Sequence, residues 1–300
     1  MKKYFLVLIA LLTAGVTYAQ IKVLGIGNSF SEDALEQNIS EIARSEEVPM
    51  IIANLYIGGC SIDRHVENIA GNKASYRYTK FDVEGNKTIR QNVSLESVIG
   101  EEQWDYISVQ QVSGQSGFFD SYVRLPELIS WIKKMVPGAK IMLHQTWAYA
   151  ADSKHSDFPK YESSQKKMHD AICDAVKRVV AANAIDGVIP SGPAIQNLRD
   201  MTGDYNLTRD GYHLSLGMGR YTAACTWFAV LTGKDANGIK YRPDGSDPRT
   251  EAITEEEAKL CRKAASEVTN KATGKTTSKA ASRVTKKVTK RVVKKNKRRK

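Results

Sequence analysis

Apolar residues are spaced in two ways along this chain, and each spacing predicts a different element. Short apolar runs bounded by polar or glycine-containing segments predict buried strands at residues 21–26, 50–57, 105–110, 140–144 and 188–189. Apolar residues three and four positions apart predict amphipathic helices at residues 33–46, 122–135, 161–183, 214–231 and 255–271. Strands and helices therefore follow one another along most of the chain.

This order is typical of βαβ units, in which helices cover a sheet of parallel strands. We predict an α/β fold, a three-layer sandwich with a central parallel sheet and helices on both faces. Residues 70–92 interrupt the order, because they are polar and have strand-like edges. We predict a small hairpin insertion there. The last helix should begin after Thr254, since three glutamates follow this capping residue.

The first residues of the chain have a different pattern. Lys2 and Lys3 precede an unbroken apolar run at residues 5–12, and Thr17-Tyr18-Ala19 has the small-x-small form of a cleavage site. These features predict a signal peptide at residues 1–19, and therefore export to the periplasm or the cell surface. The run is shorter than the roughly 20 residues that cross a bilayer, so we do not predict an integral membrane protein.

The net charge of +11 is confined to the two ends of the chain. Of the 44 Lys and Arg residues, 14 lie in residues 271–300 and two in residues 1–19, whereas all 33 acidic residues lie between, which leaves −5 on residues 20–270. We therefore predict one folded domain at residues 20–270 and a disordered low-complexity tail at 271–300. The tail either contacts an anionic envelope surface or has no partner; nucleic acid is unlikely for an acidic body without a binding motif.

The cysteines do not predict a metal site. None of the four forms a CxxC pair or stands at zinc-ligand spacing from a histidine. We predict that they are buried free thiols. They are Cys60, Cys173, Cys225 and Cys261.

Polar residues follow several predicted strands, where active sites of parallel α/β sheets lie. Ser29 comes directly after the first strand, and Asp210 and His213 precede a late helix. A serine hydroxyl becomes a nucleophile when a histidine takes its proton, and a carboxylate orients that histidine. Asp-x-x-His lets one tight loop bring the acid to the base, and Gly211 permits the turn. Order and placement therefore point to a serine hydrolase.

The chain resembles the SGNH (GDSL-like) hydrolase superfamily over about residues 21–233, with an SGNH/flavodoxin-like fold. Gly27-Asn28-Ser29 corresponds to the family's Gly-Asp-Ser block, and Asp210 and His213 match its last block. The chain is also similar to a domain of unknown function common in exported proteins of gut Bacteroidetes. The resemblance implies that Ser29 is the nucleophile, His213 the base and Asp210 its orienting acid, while Asn28 orders the loop beside the substrate pocket.

The resemblance also implies an oxyanion hole. Its donors would be the backbone N–H of Ser29 and that of Gly59 or Gly58, which follow the second strand. The family's third block, Gly-x-Asn-Asp, is replaced here by residues 110–113, Gln-Gln-Val-Ser. Related carbohydrate acetylesterases have Gln-Gly-Glu-Ser at that place. The resemblance therefore implies that the side chain of Gln110 or Gln111 donates to the oxyanion.

Three further side chains are candidates for the substrate pocket. His65 begins the helix after the glycine pair, so it faces either the pocket or solvent. His144 and Trp147 follow the fourth strand, and Trp147 either stacks on a sugar ring or packs in the rim.

The sequence thus predicts an exported serine esterase without metal or cofactor. The family context favours O-acetyl groups on a glycan as its substrate. The altered third block leaves an alternative, a non-catalytic protein of the same fold that binds a glycan or, through its tail, a polyanion.

Overall fold

A seven-stranded sheet lies at the centre of the computed structural model, which describes residues 19–203 and 205–272. Its strand order is β4-β3-β2-β1-β5-β6-β7, and β2, β1, β5, β6 and β7 are parallel. The predicted α/β sandwich is confirmed. The strands are β1 (Ile21–Gly27), β2 (Met50–Tyr56), β3 (Tyr76–Phe81), β4 (Lys87–Val93), β5 (Tyr106–Val109), β6 (Lys140–His144) and β7 (Gly187–Ile189).

The interrupting segment forms a hairpin, as predicted. Its strands β3 and β4 are antiparallel, and β3 also pairs antiparallel with β2. The hairpin therefore extends the main sheet, where the sequence predicted a separate insertion. Tyr76 and Tyr78 lie on the same face of β3, which is turned toward the core. They are 1% and 2% exposed and attach the hairpin to the core.

Helices cover both faces of the sheet. On one face α1, α2, α7, α8 and α9 pack against one another, and on the other α3 packs against α4 and α5. The helices are α1 (Ser29–Leu35), α2 (Ile39–Ser45), α3 (Ile62–Ala70), α4 (Leu95–Ile99), α5 (Leu125–Met135), α6 (Gln165–Ala182), α7 (Ser191–Thr202), α8 (Met218–Thr232) and α9 (Glu255–Ala272). Short 3₁₀ turns lie at Ser113–Gln115, Phe119–Tyr122, Phe158–Tyr161 and Ala236–Gly238.

The helices differ from the sequence prediction in several places, and the short helix α4 was not predicted. The single helix predicted at residues 33–46 is two helices, because Asn38 adopts a left-handed φ of 64° between them. Helix α7 was not predicted, since Gly192 and Pro193 in its first turn are typical of loops. Helix α8 begins at Met218 and not at Leu214.

The last helix begins as predicted. Thr254 Oγ1 accepts a hydrogen bond from Glu257 N at 3.2 Å, and Glu257 Oε2 accepts one from Thr254 N at 2.7 Å. This reciprocal pair is a capping box. The signal peptide predicted at residues 1–19, apart from Ala19, and the basic tail beyond residue 272 lie outside the described residues.

All four cysteines are free, as expected from their spacing. Cys60, Cys225 and Cys261 are buried, and Cys173 is half-buried. Burial raises the pKa of the Cys60 thiol to about 12. The three buried thiols are therefore protonated members of the core, whereas Cys173 is less buried than predicted.

Candidate active site

Ser29 is the first residue of α1, directly after β1, and is half-buried. Asn28 caps this helix: its Oδ1 accepts a hydrogen bond from Phe30 N at 3.0 Å. Its Nδ2 donates to Cys60 O at 3.0 Å, across to the loop that follows β2. Asn28 therefore orders the loop that presents Ser29, as the sequence predicted.

Asp210 and His213 occupy a narrow loop between two residues that form an antiparallel bridge, Thr208 and Leu214. Arg209 N donates to His213 O at 3.0 Å and closes the loop. Gly211 has a φ of 87°, and a Cβ there would lie 3.0 Å from the backbone of Ser153. The turn expected here therefore requires glycine at position 211, both for its positive φ and because a Cβ would crowd Ser153.

Within this loop the Asp210 carboxylate contacts both the ring and the backbone of His213. Oδ2 lies 2.6 Å from His213 Nδ1, and Oδ1 accepts from His213 N at 2.8 Å. Burial disfavours the ionised carboxyl, but the hydrogen bonds from His213 outweigh it and hold the pKa of Asp210 below its usual value. Since an ionised carboxylate only accepts, Nδ1 is the donor of this bond, and Nε2 is the ring nitrogen directed away from Asp210.

His213 Nε2 is buried and has no hydrogen-bond partner among the described residues. A hydrogen bond between Ser29 and His213 is therefore not formed in this structure. Both residues nevertheless line one pocket of about 250 Å³. The loop after β2, the loop after β5 and the Asp-x-x-His loop form its walls. The other lining residues are Asn28, Tyr56, Gly58, Gly59, Val112, Ser113, His155 and Tyr212.

The turn at residues 57–60 places two glycines at this pocket. Cys60 N donates to Ile57 O at 3.2 Å, so Gly58 and Gly59 occupy the centre of the turn. Gly59 has a φ of 61°, which favours glycine. Both glycines are exposed and line the pocket.

The two glutamines do not match the predicted oxyanion role. Gln110 Nε2 donates to Asn28 Oδ1 at 2.7 Å, and Gln111 Nε2 donates to Ser121 O at 2.6 Å. Each residue is 1% exposed, and neither lines the pocket. Gln111 Oε1 also accepts from Ile62 N at 3.0 Å. Both side chains therefore brace neighbouring loops from behind the pocket.

Gln110 belongs to a buried chain of hydrogen bonds that ends on the Ser29 loop. His144 Nδ1 lies 2.7 Å from Gln110 Oε1, and its Nε2 lies 3.0 Å from Ser191 Oγ. The backbone contacts of Asn28 fix its Oδ1 as an acceptor, so Gln110 must donate to it through Nε2. Gln110 Oε1 then accepts from His144 Nδ1–H, which leaves His144 Nε2 to accept from Ser191. The direction of every bond is thus determined.

His144 is therefore not a pocket residue, contrary to the sequence prediction. It is 2% exposed, and burial lowers its pKa to about 3. His65 is fully buried as well, with Nδ1 2.9 Å from the Tyr76 hydroxyl, and burial lowers its pKa to about 3. Both histidines lie in the core because their strand and helix turn them inward.

Trp147 is also buried behind the pocket and not in it. Its ring stacks on Phe30 with 4.3 Å between centroids, and its Nε1 donates to Tyr212 O at 2.8 Å. Trp147 thus contacts the residue after Ser29 and the residue before His213. Rim packing, the alternative weighed for this residue, is what the structure shows.

Several pocket residues were not singled out from the sequence. Tyr212 covers His213, with ring centroids 4.1 Å apart, and His155 packs on Tyr212 at 4.7 Å. Ser113 Oγ pairs with the Tyr149 hydroxyl at 2.8 Å. His155 could not be singled out, because nothing in its local sequence marks the fold-back of residues 150–155 onto Gly211.

The described residues contain no group of three or more His, Cys, Asp or Glu side chains that could hold a metal ion. None of their helices is long and apolar enough to cross a membrane.

Comparison with known proteins identifies a family. The chain is 46% identical to a crystal structure of a DUF4886 family protein from Bacteroides uniformis, with a TM-score of 0.79 over 83% of this chain and 94% of that one. A proposed SGNH hydrolase from Slackia heliotrinireducens is 17% identical, with a TM-score of 0.49 over 70% and 98%. A Clostridium thermocellum family 3 carbohydrate esterase is 14% identical, with a TM-score of 0.42 over 70% and 94%.

No curated protein matches the chain. The resemblance to a domain of unknown function, drawn from the sequence, is confirmed by a family model. That model matches residues 22–267, so the chain belongs to the family described as domain of unknown function DUF4886.

Proposed function

We propose that this protein is an exported serine esterase that removes O-acetyl groups from a glycan. The observation that carries the proposal is the state of His213. Its Nδ1 is held by the Asp210 carboxylate at 2.6 Å, its Nε2 is buried without a hydrogen-bond partner among the described residues, and His213 lines the same pocket as Ser29. A desolvated base oriented by a carboxylate beside a serine is the arrangement that serine hydrolysis requires.

In the proposed reaction, the Ser29 hydroxyl turns to His213 Nε2 as the substrate ester enters. His213 takes the hydroxyl proton while Oγ attacks the carbonyl carbon, and Asp210 stabilises the resulting imidazolium. The proton then passes from His213 to the sugar oxygen as the bond between that oxygen and the carbonyl carbon breaks. An acetyl group remains on Ser29. A water molecule, deprotonated by His213, releases acetate. Catalytic hydrogen bonds are often long or absent before substrate binds, which accounts for the open Ser29–His213 pair.

The oxyanion formed in this reaction needs donors, and the backbone supplies them. Ser29 N is one of the first N–H groups of α1, which have no acceptor within the helix. Gly59 N or Gly58 N supplies a second donor from the turn after β2. Each donor is worth about 3 kcal/mol of transition-state stabilisation in such sites. Gln110 and Gln111 support this hole by holding Asn28 and the residue 60–62 segment in place.

The proposed substrate follows from the size and lining of the pocket. A volume of about 250 Å³ lies below the roughly 300–1,000 Å³ of sites for drug-sized ligands, which suits a short acyl group. Tyr212 and Tyr56 provide aromatic faces beside it for a sugar ring. The signal peptide predicted at residues 1–19 supports the export part of the proposal.

The test uses the chain from Gln20 onward, with p-nitrophenyl acetate, butyrate and octanoate and with acetylated xylan. We expect hydrolysis of the acetyl esters that falls with acyl length and is lost in Ser29→Ala. Ser45→Ala is the matched control, because Ser45 is a partly buried serine on α2 whose hydroxyl only contacts Ile42 O. Equal activity in Ser29→Ala would sink the proposal.

A fluorophosphonate probe separates the enzyme from its alternative. The proposal expects covalent labelling at Ser29 that is absent in Ser29→Ala and unchanged in Ser45→Ala. A protein that binds acetylated glycan but resists the probe is the non-catalytic binder, an outcome for which the missing Ser29–His213 hydrogen bond is the motivating observation.

A further inference from the structure

Arg199, on α7, is a buried cation whose contacts differ from those of the other buried arginines. Three arginines are buried among the described residues, at 6–8% exposure. Arg220 pairs with Asp33, and Arg262 pairs with Glu255. Arg199 forms no ion pair with any described residue: its Nη2 donates to Ala148 O at 3.0 Å, and its Nη1 has no hydrogen-bond partner. Burial lowers the pKa of its guanidinium to about 10, although the nearby charge of Asp200 acts in the opposite direction.

This unpaired cation lies at the wall of a cavity of about 320 Å³, separate from the pocket of Ser29. Residues 150–152 and 205–207 form most of the other walls, and Gln165 completes them. Asn206 Oδ1 accepts two hydrogen bonds from Thr208, so the remaining polar group of Asn206 is its Nδ2 donor. Tyr205 adds an aromatic ring that is 47% exposed.

A backbone hydrogen bond links one wall of the cavity to the proposed active site. Ala150 lines the cavity, and its N–H donates to Gly211 O at 2.8 Å, between Asp210 and His213. Five residues further along the same segment, His155 lines the pocket of Ser29. A ligand in the cavity therefore lies beside the loop that carries Asp210 and His213.

We propose that this cavity binds the carboxylate of a uronic acid, and that the glycan substrate is an acidic one. A planar guanidinium matches a planar carboxylate, and one monoanion neutralises one buried cation. The amide N–H groups of Asn206 and Gln165 can donate hydrogen bonds to sugar hydroxyls, and the ring of Tyr205 can stack on a face of the sugar. Asp152, an exposed acid on the wall, disfavours a dianion such as a phosphate monoester. The binding claim stands without catalysis, whereas the claim about the substrate rests on the proposed function.

The test measures binding to the full-length protein by calorimetry, in the Ser29→Ala form so that nothing is turned over. The probes are galacturonate, glucuronate, galactose, glucose and inorganic sulfate. We expect a uronate to bind and its neutral sugar not to bind. Arg199→Gln should weaken uronate binding by about tenfold or more, because truncating one partner of a buried charge pair is costly.

Two further variants keep the proposal falsifiable if Arg199→Gln does not fold. Arg199→Lys retains the charge but loses the paired N–H donors of the planar guanidinium, so it should weaken binding less than Arg199→Gln. Asp152→Asn removes a repelling charge and should tighten uronate binding while leaving galactose unchanged. Equal affinity for uronate and neutral sugar, sulfate binding without uronate binding, or no response to Asp152→Asn would each overturn the site. An inactive esterase that still binds uronate through Arg199 would refute only the proposed function.

Discussion

The Asp33 carboxylate accepts a hydrogen bond of 2.8 Å from Leu214 N, the backbone group that directly follows His213. Asp33 lies one helical turn after Ser29 on α1, so this contact joins the helix of the proposed nucleophile to the loop of the proposed base. The carboxylate is fully buried and also pairs with Arg209 at 3.0 Å and Arg220 at 2.7 Å. One carboxylate therefore fixes how the two halves of the site face each other.

We expect Asp33→Asn to lower both stability and esterase activity. The substitution leaves two arginines beside a neutral amide, and breaking a buried ion pair costs about 3–5 kcal/mol. Urea denaturation measures the loss of unfolding free energy, and p-nitrophenyl acetate hydrolysis measures the loss of activity. Glu127→Gln is the control: its pair with Arg124 is at the surface, and its loss should cost no more than about 1 kcal/mol. Equal stability of the two variants would contradict the role given to Asp33.

A second prediction concerns the buried chain of hydrogen bonds through Gln110. Gln110→Leu leaves His144 Nδ1 without a partner and removes one of the two hydrogen bonds to Asn28 Oδ1, which should cost about 1–3 kcal/mol of unfolding free energy. Because Asn28 orders the Ser29 loop, kcat should fall with little change in KM. Gln111→Leu is the matched control. It also removes buried hydrogen bonds but does not touch Asn28, so its kcat should fall less for a similar loss of stability. The reverse ranking of the two kcat values would refute the role given to this chain of hydrogen bonds.

Much of this architecture could be predicted from the spacing of apolar residues. Five strands separated by helices imply a parallel sheet, and a parallel sheet brings the ends of its strands to one edge. That inference alone placed Ser29, the glycine pair and the Asp210–His213 loop together. The Asp-x-x-His contact needs only three residues and one glycine, so it too is local enough to be predicted.

The direction of a side chain at that edge could not be predicted in the same way. Gln110, His144 and Trp147 all follow strands, yet each bonds or stacks with a residue more than 30 positions away. His65 turns into the core, where its ring contacts Tyr76 of β3, a partner with no sequence signal. The candidates that failed are therefore those whose partners lie on distant elements.

A third prediction concerns Gly59. Its φ of 61° strains any other residue, although a Cβ there would meet no atom within 4 Å. Gly59→Ala should cost about 1 kcal/mol of unfolding free energy and lower kcat, since the strained turn would displace the N–H groups of the proposed oxyanion hole. Gly233→Ala is the matched control, because Gly233 has a φ of 69° and equal space but lies at the end of α8. Both variants should lose stability alike; equal kcat values would argue against a role for this turn in catalysis.

The buried histidines make the stability of this protein depend on pH. Burial lowers the pKa of His65 and of His144 to about 3 in the folded state, against about 6.5 when unfolded. The unfolded chain therefore binds more protons between these values. The stabilisation is fully present above about pH 6.5 and is lost as the pH falls toward 3, by about 1.4 kcal/mol per pH unit for each histidine.

Replacing one of them should flatten this dependence. Between pH 7 and pH 5, His65→Phe should lose about 2 kcal/mol less unfolding free energy than the native chain, because it has no proton to gain at this position. Urea denaturation at the two pH values provides the measurement. The phenyl ring preserves the stacking on Tyr76, so the change in slope reports titration more than packing. A slope equal to that of the native chain would mean that His65 is protonated in the folded state, and its place in the core would have to be reconsidered.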